Sequence, residues 1–183
     1  MRRVSVVGST GTGKTTFARE LARRLAVPHV ELDALAWAPN WKLVDDATFH
    51  ARLQQAIATD GWVADGNYGG RGARDILWKL ADTIVWLDFS LPVILRRLWS
   101  RTNARIRDQQ ELWPGTGNRE TFRGAYLSRE SLYVWAVKTY WRRKRNYAAL
   151  LKLPQYAQAT KYRFQTQAEA DAWLERLREP ERI

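Results

Sequence analysis

The sequence of 183 residues contains no cysteine, one methionine and two histidines. Without cysteine the chain has no disulfide framework, no thiolate metal site and no cysteine nucleophile. A cysteine-free chain is typical of a reducing compartment, where disulfides are rare. We therefore expect a cytoplasmic protein.

Long apolar runs are also absent. Near the start, the apolar stretch VSVV (residues 4–7) is interrupted by Ser5. A signal peptide needs roughly 7–15 apolar residues and a membrane-spanning helix about 20, so we expect neither of them and no membrane partner. The apolar content of 45% is typical of a globular protein. The length favours a single α/β domain over residues 1–183.

Acidic residues are few relative to basic ones, with 19 Asp or Glu against 30 Lys or Arg and a net charge of +11. The basic segment, residues 94–147, holds 13 Lys or Arg and 4 Asp or Glu, which is +9 of the total. Such a segment attracts nucleic acid, a phosphorylated small molecule or a membrane surface. A solvated basic surface is the simplest alternative, and charge alone does not choose among the four.

Short apolar runs alternate with segments of helical spacing. The predicted strands are VSVV (4–7), HVEL (29–32), WVAD (62–65), TIVWLD (83–88) and KYRF (161–164). Three predicted helices have defined ranges: 14–26, RDILWKL (74–80) and 128–147. Another contains Phe49, Leu53 and Ile57 and is capped by Asp45 or Asp46. Two more begin after Pro92 and at TQAE (166–169). Strands that alternate with helices predict a parallel sheet with right-handed crossovers. Between the last two strands, RTNARIRDQQELWPGTGNRETFRG (101–124) is predicted to be a mobile basic loop.

GSTGTGKTT, residues 8–16, lies between the first strand and the first helix and matches the pattern G-x-x-x-x-G-K-[ST]. Glycines let the backbone curl so that its N–H groups point at phosphate oxygens, with the positive end of the helix behind them. We expect Lys14 to reach the β and γ phosphates of ATP and Thr15 to bind Mg²⁺. The predicted nucleotide-binding residues are Gly8, Ser9, Thr10, Gly11, Thr12, Gly13, Lys14, Thr15 and Thr16.

Mg²⁺ also needs a carboxylate near the phosphates. Asp33, Asp65 and Asp88 each end or follow a predicted strand, and strand carboxyl ends form the ligand crevice of an open parallel sheet. Each of the three also suits a helix cap or a turn. His29 and His50 stand apart from other metal ligands in the sequence, so we assign them no metal.

Ten tryptophans invite a nucleic-acid hypothesis, because aromatic rings beside arginines stack on unpaired bases. Trp62, Trp86 and Trp173 lie within strand or helix stripes and are predicted to be core residues. Trp37 and Trp41 lie in ALAWAPNWKLV (34–44), a predicted loop after Asp33, where we weigh an acceptor-pocket wall against simple loop packing.

Five segments together resemble the adenylate-kinase-related P-loop kinases, most specifically the nucleotide-kinase-like group called topology modulation proteins. These segments are GSTGTGKTT, HVELDALAWAPNW, WVADGNY, TIVWLD and RRLWSRTNAR, and the resemblance runs from Arg3 to about Arg145. It implies a three-layer P-loop NTPase fold, with a five-stranded parallel sheet, helices on both faces and an arginine-rich helical lid. The implied division is a core of residues 1–93 and 148–183, a lid region of 94–147 and an acceptor-side insertion of 34–61.

The same resemblance implies residue roles. Asp65 with Gly66 matches the Asp-Gly of adenylate kinases that contacts the Mg²⁺ shell, which favours Asp65 as the metal carboxylate. Arg97 and Arg101 match paired arginines that clamp phosphates. The candidate returning arginines of the lid are Arg119, Arg123 and Arg129. The implied catalytic set is Lys14, Arg97, Arg101, Arg119 and Asp33. Asp88 is expected to contact residues of the site and not the ligand itself.

The acceptor side departs from the adenylate kinase pattern. Those enzymes follow Asp-Gly with Phe-Pro-Arg, whose arginine grips the acceptor phosphate, whereas this chain has Gly69 at that place. Arg71 or Arg74 is a candidate substitute. Asp33 follows the second strand, where related kinases of hydroxylated metabolites, such as shikimate or gluconate kinase, carry an acidic residue. The predicted acceptor-binding residues are Asp33, Trp37, Trp41, Gly66, Asn67, Tyr68, Arg71 and Arg74.

The sequence thus predicts an ATP- and Mg²⁺-dependent phosphotransferase whose acceptor is a nucleoside monophosphate or a related nucleotide or nucleoside. A kinase of a hydroxylated metabolite is the first alternative, because a carboxylate at position 33 can orient or deprotonate a hydroxyl. An ATP-switched nucleic-acid-binding protein that uses RRKR (142–145) is the second, and a plain ATPase the third. Small-molecule partners are favoured over nucleic acid.

Overall fold

A five-stranded parallel sheet forms the centre of the molecule. The computed structural model describes residues 1–127 and 131–177. The strands within these two ranges, numbered in chain order, are β1 Arg3–Gly8, β2 His29–Glu31, β3 Trp37–Ala38, β4 Lys42–Leu43, β5 Trp62–Asp65, β6 Thr83–Leu87, β7 Glu111–Leu112, β8 Asn118–Arg119 and β9 Thr160–Phe164. The sheet has the order β2-β5-β1-β6-β9, and β3–β4 and β7–β8 are separate antiparallel pairs. This confirms the predicted α/β fold.

Helices connect the strands and cover both faces of the sheet. They are α1 Lys14–Leu25, α2 Leu32–Ala36, α3 Asp46–Ala56, α4 Ala73–Leu80, α5 Leu91–Arg107, α6 Leu132–Leu150 and α7 Gln167–Glu175. Asp45 caps α3 by accepting from the backbone N–H of Thr48 at 2.8 Å. Thr166 caps α7 by accepting from the N–H of Glu169 at 3.3 Å. Within the two described ranges, no helix is long and apolar enough to cross a membrane.

Two apolar clusters lie on opposite faces of the sheet. One packs Val4 and Val63 against Phe17 and Leu21 of α1 and also includes residues of α5, α6 and α7. The other packs β-strand residues against α3 and α4. As predicted, Trp62 and Trp86 are buried in the core, whereas Trp173 is partly buried at the edge of the first cluster.

Helix α6 contributes to both clusters, through Ala136 and Tyr140 on one side and Tyr147 on the other. The Tyr140 hydroxyl lies 3.4 Å from the carbonyl of Phe89, after β6, and the Tyr147 hydroxyl bonds to Asn67, after β5. Helix α6 therefore lies along the carboxyl ends of the central strands. Its polar side chains reach the crevice where ligands bind in this type of sheet.

Three predicted boundaries are wrong. The loop predicted from Arg101 is helical to Arg107, because residues 93–107 contain no Gly or Pro and Thr102 is buried against the helix's neighbours. The remainder forms the β7–β8 hairpin and a π-helical turn over Arg123–Leu127. The stretch after β2 is not a loop but α2, β3, a 3₁₀ turn over Pro39–Trp41 and β4. Helix α6 begins at Leu132 and ends at Leu150, and part of the predicted start, at residues 128–130, lies outside the described residues.

Candidate nucleotide and acceptor site

The loop between β1 and α1 has the backbone geometry of a phosphate cradle. Gly8, Gly11 and Gly13 have φ values of 154°, 81° and 85°. A Cβ on Gly11 would lie 2.7 Å from Cγ of Leu98, so no larger residue fits at that position. Helix α1 begins at Lys14, and the N–H groups of its first turn have no partner within the helix. The loop therefore directs backbone donors and the positive end of α1 at one point.

Lys14 lies at the centre of this loop. Its Nζ donates to the carbonyl of Ser9 at 3.0 Å. Burial lowers the pKa of Lys14 to about 8, the neighbouring Asp65 and Asp33 oppose that shift, and Arg143 and Arg101 add to it. The two carboxylates and two guanidinium groups therefore share one electrostatic environment with the Lys14 ammonium group.

Thr15 and Asp65 meet at the end of β5. The Thr15 hydroxyl donates to Oδ2 of Asp65 at 2.8 Å, and the other carboxylate oxygen, Oδ1, lies 2.7 Å from Nε2 of His29. Asp65 is 3% exposed. The position of His29 in the sequence suggested that it is isolated from metal-ligating residues. It is not isolated in the fold, because the sheet brings β2 beside β5.

These residues fit magnesium bound together with a nucleotide. Within the described part of the chain, no three His, Cys, Asp or Glu side chains are grouped to hold a metal by themselves. Mg²⁺ in kinases takes one or two carboxylates, and substrate phosphates and water complete its shell. The pair of Thr15 and Asp65, 2.8 Å apart beside the glycine cradle, supplies that partial set.

Two arginines of α5 face the loop in different ways. Arg97 donates through Nη1 to the carbonyl of Thr12 at 3.0 Å and through Nη2 to Gln167 at 2.9 Å. Arg101 lies one turn further on, with its Nη2 4.0 Å from Oε1 of Glu120 and its buried Nε without a partner. Burial and the nearby Arg105 lower the pKa of Arg101. Arg97 supports the loop backbone, whereas Arg101 retains an unsatisfied buried donor.

Arg143 of α6 is a further candidate for the phosphate site, whereas the sequence predicted a role for it only within RRKR (142–145) as a nucleic-acid contact. Its guanidinium lies over the ring of Trp135, 4.0 Å from the centroid, and its buried Nη1 has no partner. Burial lowers the pKa of Arg143. The signal was available, because position 143 falls on the helix face of the buried Tyr140 and Tyr147, three and four residues away.

Two of the predicted returning arginines of the lid are exposed, and the third lies outside the described residues. Arg119 is exposed and donates to the carbonyl of Gln109. Arg123 is exposed in the π-helical turn. Arg129 lies outside the described residues.

Asp33 and Tyr68, two of the predicted acceptor-binding residues, are hydrogen-bonded to each other. The Tyr68 hydroxyl donates to Oδ1 of Asp33 at 2.6 Å. Burial and the Asp33 carboxylate raise the pKa of Tyr68, so the phenol stays protonated and remains a donor. Glu31 lies two residues before Asp33, and burial raises its pKa as well. Glu31 and Asp33 therefore lie near each other and near Asp65, and Asp33 acts on the charge of Lys14.

The two candidate acceptor arginines are held by internal partners. Arg71 donates to Asp46 at 2.6 Å and to the carbonyl of Val44 at 2.6 Å, although its Nη1 is buried without a partner. Arg74 pairs with Asp75 at 2.8 Å. Gly69 lies directly under Arg74, since a Cβ there would be 2.8 Å from Nη1 of Arg74.

Asn67 and Gly66 have structural contacts with the nucleotide loop and with α2. Asn67 donates through Nδ2 to the carbonyl of Gly8 at 2.8 Å, and its Oδ1 accepts from the Tyr147 hydroxyl at 2.8 Å. A Cβ on Gly66 would lie 2.7 Å from Cβ of Leu32. The Asn67 amide thus links the nucleotide loop to α6.

Trp37 and Trp41 pack against a third tryptophan, Trp113 of the β7–β8 hairpin. The rings of Trp37 and Trp113 are stacked, with centroids 6.1 Å apart and planes at 11°. Trp41 meets both edge-on, at 5.7 and 6.0 Å. Asn118 adds hydrogen bonds to the N–H of Trp41 and to the carbonyl of Ala38, each 3.0 Å long. Trp37 and Trp41 therefore join the segment after Asp33 to the β7–β8 hairpin. An adjoining cleft of about 290 Å³ is lined by Ala34, Trp37, Ala38, Pro39, Arg52, Trp113, Pro114, Gly115 and Thr116.

Comparison with solved structures identifies the fold. A shikimate kinase from Bacteroides thetaiotaomicron is 18% identical over 96% of both chains, with a TM-score of 0.52. A gluconokinase from Sinorhizobium meliloti 1021 is 19% identical over 97% of this chain and 94% of its own, with a TM-score of 0.51. A shikimate kinase from Acinetobacter baumannii in complex with shikimate is 16% identical over 96% of this chain and 89% of its own, with a TM-score of 0.53. The chain has the fold of a P-loop kinase.

Comparisons of sequence match a shorter part of the chain than the comparisons of structure do. The model of the ATPase family associated with various cellular activities (AAA) matches residues 4–66, which include the glycine loop and Asp65. No curated protein matches the chain. The likeness to topology modulation proteins stays a prediction.

Within this P-loop kinase fold, Asp88 has a supporting position. Its carboxylate is 4% exposed and accepts from Arg163 at 3.0 Å, and Nζ of Lys144 lies 3.4 Å away. In RRKR, Arg143 and Lys144 thus face the protein, while Arg142 and Arg145 are exposed. The run is divided between two helix faces and does not form one continuous basic surface.

Proposed function

We propose that this protein is an ATP-dependent kinase that phosphorylates a hydroxyl group of a small molecule. The observation that carries the proposal is the Asp33 carboxylate, which the Tyr68 hydroxyl holds at 2.6 Å in the electrostatic environment of Lys14. A positioned carboxylate is the group that a hydroxyl nucleophile needs and an ionised phosphate acceptor does not.

In this proposal the glycine loop holds the phosphates of ATP, and Lys14 contacts the β and γ phosphates. Thr15 and Asp65 hold Mg²⁺, which neutralises charge on the phosphate oxygens when bound. Lys14 exchanges its bond to the Ser9 carbonyl for phosphate oxygens, which restores the charged ammonium group that burial disfavours.

Arg101 and Arg143 are proposed to stabilise the transferred phosphoryl group. Each has a buried N–H donor without a partner, and the charge of each acts on Lys14. A buried unsatisfied donor costs about 1–3 kcal/mol, and more when the group is charged, so a phosphate oxygen at this point relieves a cost already present. Donors fixed before the reaction are the most effective way to stabilise developing negative charge.

The reaction balances without another reactant. The acceptor oxygen forms a bond to the γ phosphorus, the bond from that phosphorus to the bridging oxygen of ADP breaks, and the hydroxyl proton passes to the Asp33 oxygen that Tyr68 does not hold. A nucleoside monophosphate, the acceptor favoured by sequence resemblance, has less support. Arg71 and Arg74, the candidates for its phosphate, are paired with Asp46 and Asp75, although one buried nitrogen of Arg71, Nη1, has no partner.

A screen of acceptors tests the proposal. ATP-dependent phosphorylation is measured over nucleoside monophosphates, nucleosides, sugar acids and cyclic polyol acids, after a thermal-shift screen with a nonhydrolysable ATP analogue. We expect transfer to a hydroxyl compound, its loss in Lys14→Ala, and its retention in the matched control Lys138→Ala, whose side chain is exposed. Asp33→Asn should retain ATP binding and lose transfer. Exclusive phosphorylation of a monophosphate, or phosphate release without an acceptor, would contradict the proposal.

A further inference from the structure

The Asp65 carboxylate is held at both oxygens. Oδ2 accepts from the Thr15 hydroxyl at 2.8 Å, and Oδ1 lies 2.7 Å from Nε2 of His29. Because Asp65 is 3% exposed, water contributes little to its solvation. A carboxylate in such a place is stable only when side chains satisfy its oxygens.

The place of His29 follows from the register of the sheet. Strand β2 pairs in parallel with β5, with His29 opposite Val63 and Glu31 opposite Asp65. Alternate residues of a strand share a face, so His29 and Glu31 lie on the face of Val63 and Asp65. Val63 packs with residues of α1, which places His29 on the side of the sheet that carries Thr15.

We propose that His29 is a positioning residue for the metal site. Its imidazole fixes the Asp65 carboxylate in the orientation in which Asp65 and Thr15 hold the Mg²⁺ of the nucleotide. With Oδ1 bound to the imidazole, the carboxylate cannot turn, and Oδ2 stays directed at the Thr15 hydroxyl. Groups that hydrogen-bond a metal ligand typically change metal affinity by about 10–100-fold when removed. This inference rests on the metal assignment within the proposed function.

A purely structural histidine would behave differently. His29 is 16% exposed and begins the outermost strand β2. If it only packed there, its loss would lower stability and weaken nucleotide binding equally with and without Mg²⁺. If His29 positions Asp65, its loss lowers only the part of the nucleotide affinity that Mg²⁺ adds.

Calorimetric titration of ATP into the full-length protein, with Mg²⁺ and with EDTA, separates these roles. His29→Phe keeps a ring without the polar nitrogen, and His29→Gln keeps a polar amide of similar reach. His50→Phe is the control, because His50 contacts the carbonyl of Arg71 at 2.6 Å and not Asp65. We expect His29→Phe to lose about tenfold of the Mg²⁺-dependent gain, with metal-free ATP affinity unchanged. His29→Gln should recover most of that gain. Thermal unfolding of each variant reports whether the fold is intact.

Two results would overturn the inference: an unchanged Mg²⁺-dependent gain in His29→Phe, or an equal loss of affinity with and without Mg²⁺. If wild type itself gains nothing from Mg²⁺, the metal assignment and this inference are both wrong. Kinase activity that depends on Lys14 is measured separately, so failure of the inference is distinct from failure of the proposed kinase function.

Discussion

Trp113 donates its indole N–H to Oε1 of Glu31 at 3.0 Å, across 82 residues of sequence. This bond joins the β7–β8 hairpin of the basic segment to the end of β2, two residues before Asp33. The stacked pair of Trp37 and Trp113 and the two hydrogen bonds of Asn118 act between the same segments. The hairpin is thus fastened to the end of β2 and to the segment that follows Asp33.

Trp113→Ala should release this hairpin. The substitution removes two ring contacts, worth roughly 0.5–1.5 kcal/mol each, and one hydrogen bond worth about 1 kcal/mol. We expect faster amide exchange over residues 111–119 and a higher KM for the acceptor, with ATP affinity unchanged. Hydrogen exchange read by mass spectrometry measures the first effect. Trp99→Ala is the control, because Trp99 is 61% exposed on α5, and equal exchange in the two variants would contradict the prediction.

Arg143→Met should reduce function without reducing stability. The variant loses a cation–π contact at 4.0 Å but also removes a buried charge that lies near the charge of Lys14. The two effects oppose, so we expect the free energy of unfolding to change by less than about 1 kcal/mol. The turnover rate should fall roughly 100-fold, as for loss of one preorganised donor to a developing oxyanion.

The control for this variant is Arg142→Met, one residue away and exposed. Chemical unfolding and steady-state kinetics of both variants provide the comparison. A large loss of stability in Arg143→Met with normal turnover would mean that Arg143 serves the fold alone.

The glycine loop could be predicted because its pattern is local in sequence. Gly8 to Thr16 form a continuous motif between β1 and α1, whereas Asp65 is one of three aspartates at predicted strand ends, and only the family resemblance favours it as the metal carboxylate. The strand bounds of β5 and β6 differ from the prediction by at most one residue for the same reason. Such features depend on the spacing of apolar residues and on neighbours in the chain, and both can be read from a single sequence.

Contacts between distant elements could not be predicted in the same way. The pair of His29 and Asp65 spans 36 residues and requires β2 to lie next to β5. The bond from Trp113 to Glu31 depends on the position of the β7–β8 hairpin, for which the sequence predicts only a loop. Arg71 and Arg74 looked free in sequence, but Asp46 and Asp75 neutralise them in the fold.

ATP binding should take up a proton at alkaline pH. In the protein without nucleotide, burial lowers the pKa of Lys14 to about 8. Phosphate favours the charged ammonium group, so the pKa of Lys14 in the complex lies higher. Above pH 8 the affinity therefore falls as pH rises, by up to about tenfold per unit. Titration calorimetry at pH 8.5 in two buffers of different ionisation enthalpy counts the protons. Lys14→Arg, which stays charged, should take up none, and equal uptake in both proteins would contradict this assignment.

Tyr68→Phe should affect the chemical step more than ATP binding. The ring of Tyr68 packs on Phe49, with centroids 5.2 Å apart, and phenylalanine preserves that contact. What is lost is the hydrogen bond that orients Asp33, at 2.6 Å. We expect kcat with the acceptor found in the screen to fall about 10–100-fold, since general base catalysis by a positioned side chain contributes 10²–10⁴-fold and the carboxylate remains present. ATP affinity should be unchanged, because Tyr68 does not contact the glycine loop in the described contacts. Tyr162→Phe, on β9 beside Trp173, is the matched control. A Tyr68→Phe enzyme with normal kcat and lower thermal stability would show that the hydroxyl only supports packing, and Asp33 would then need another group to orient it.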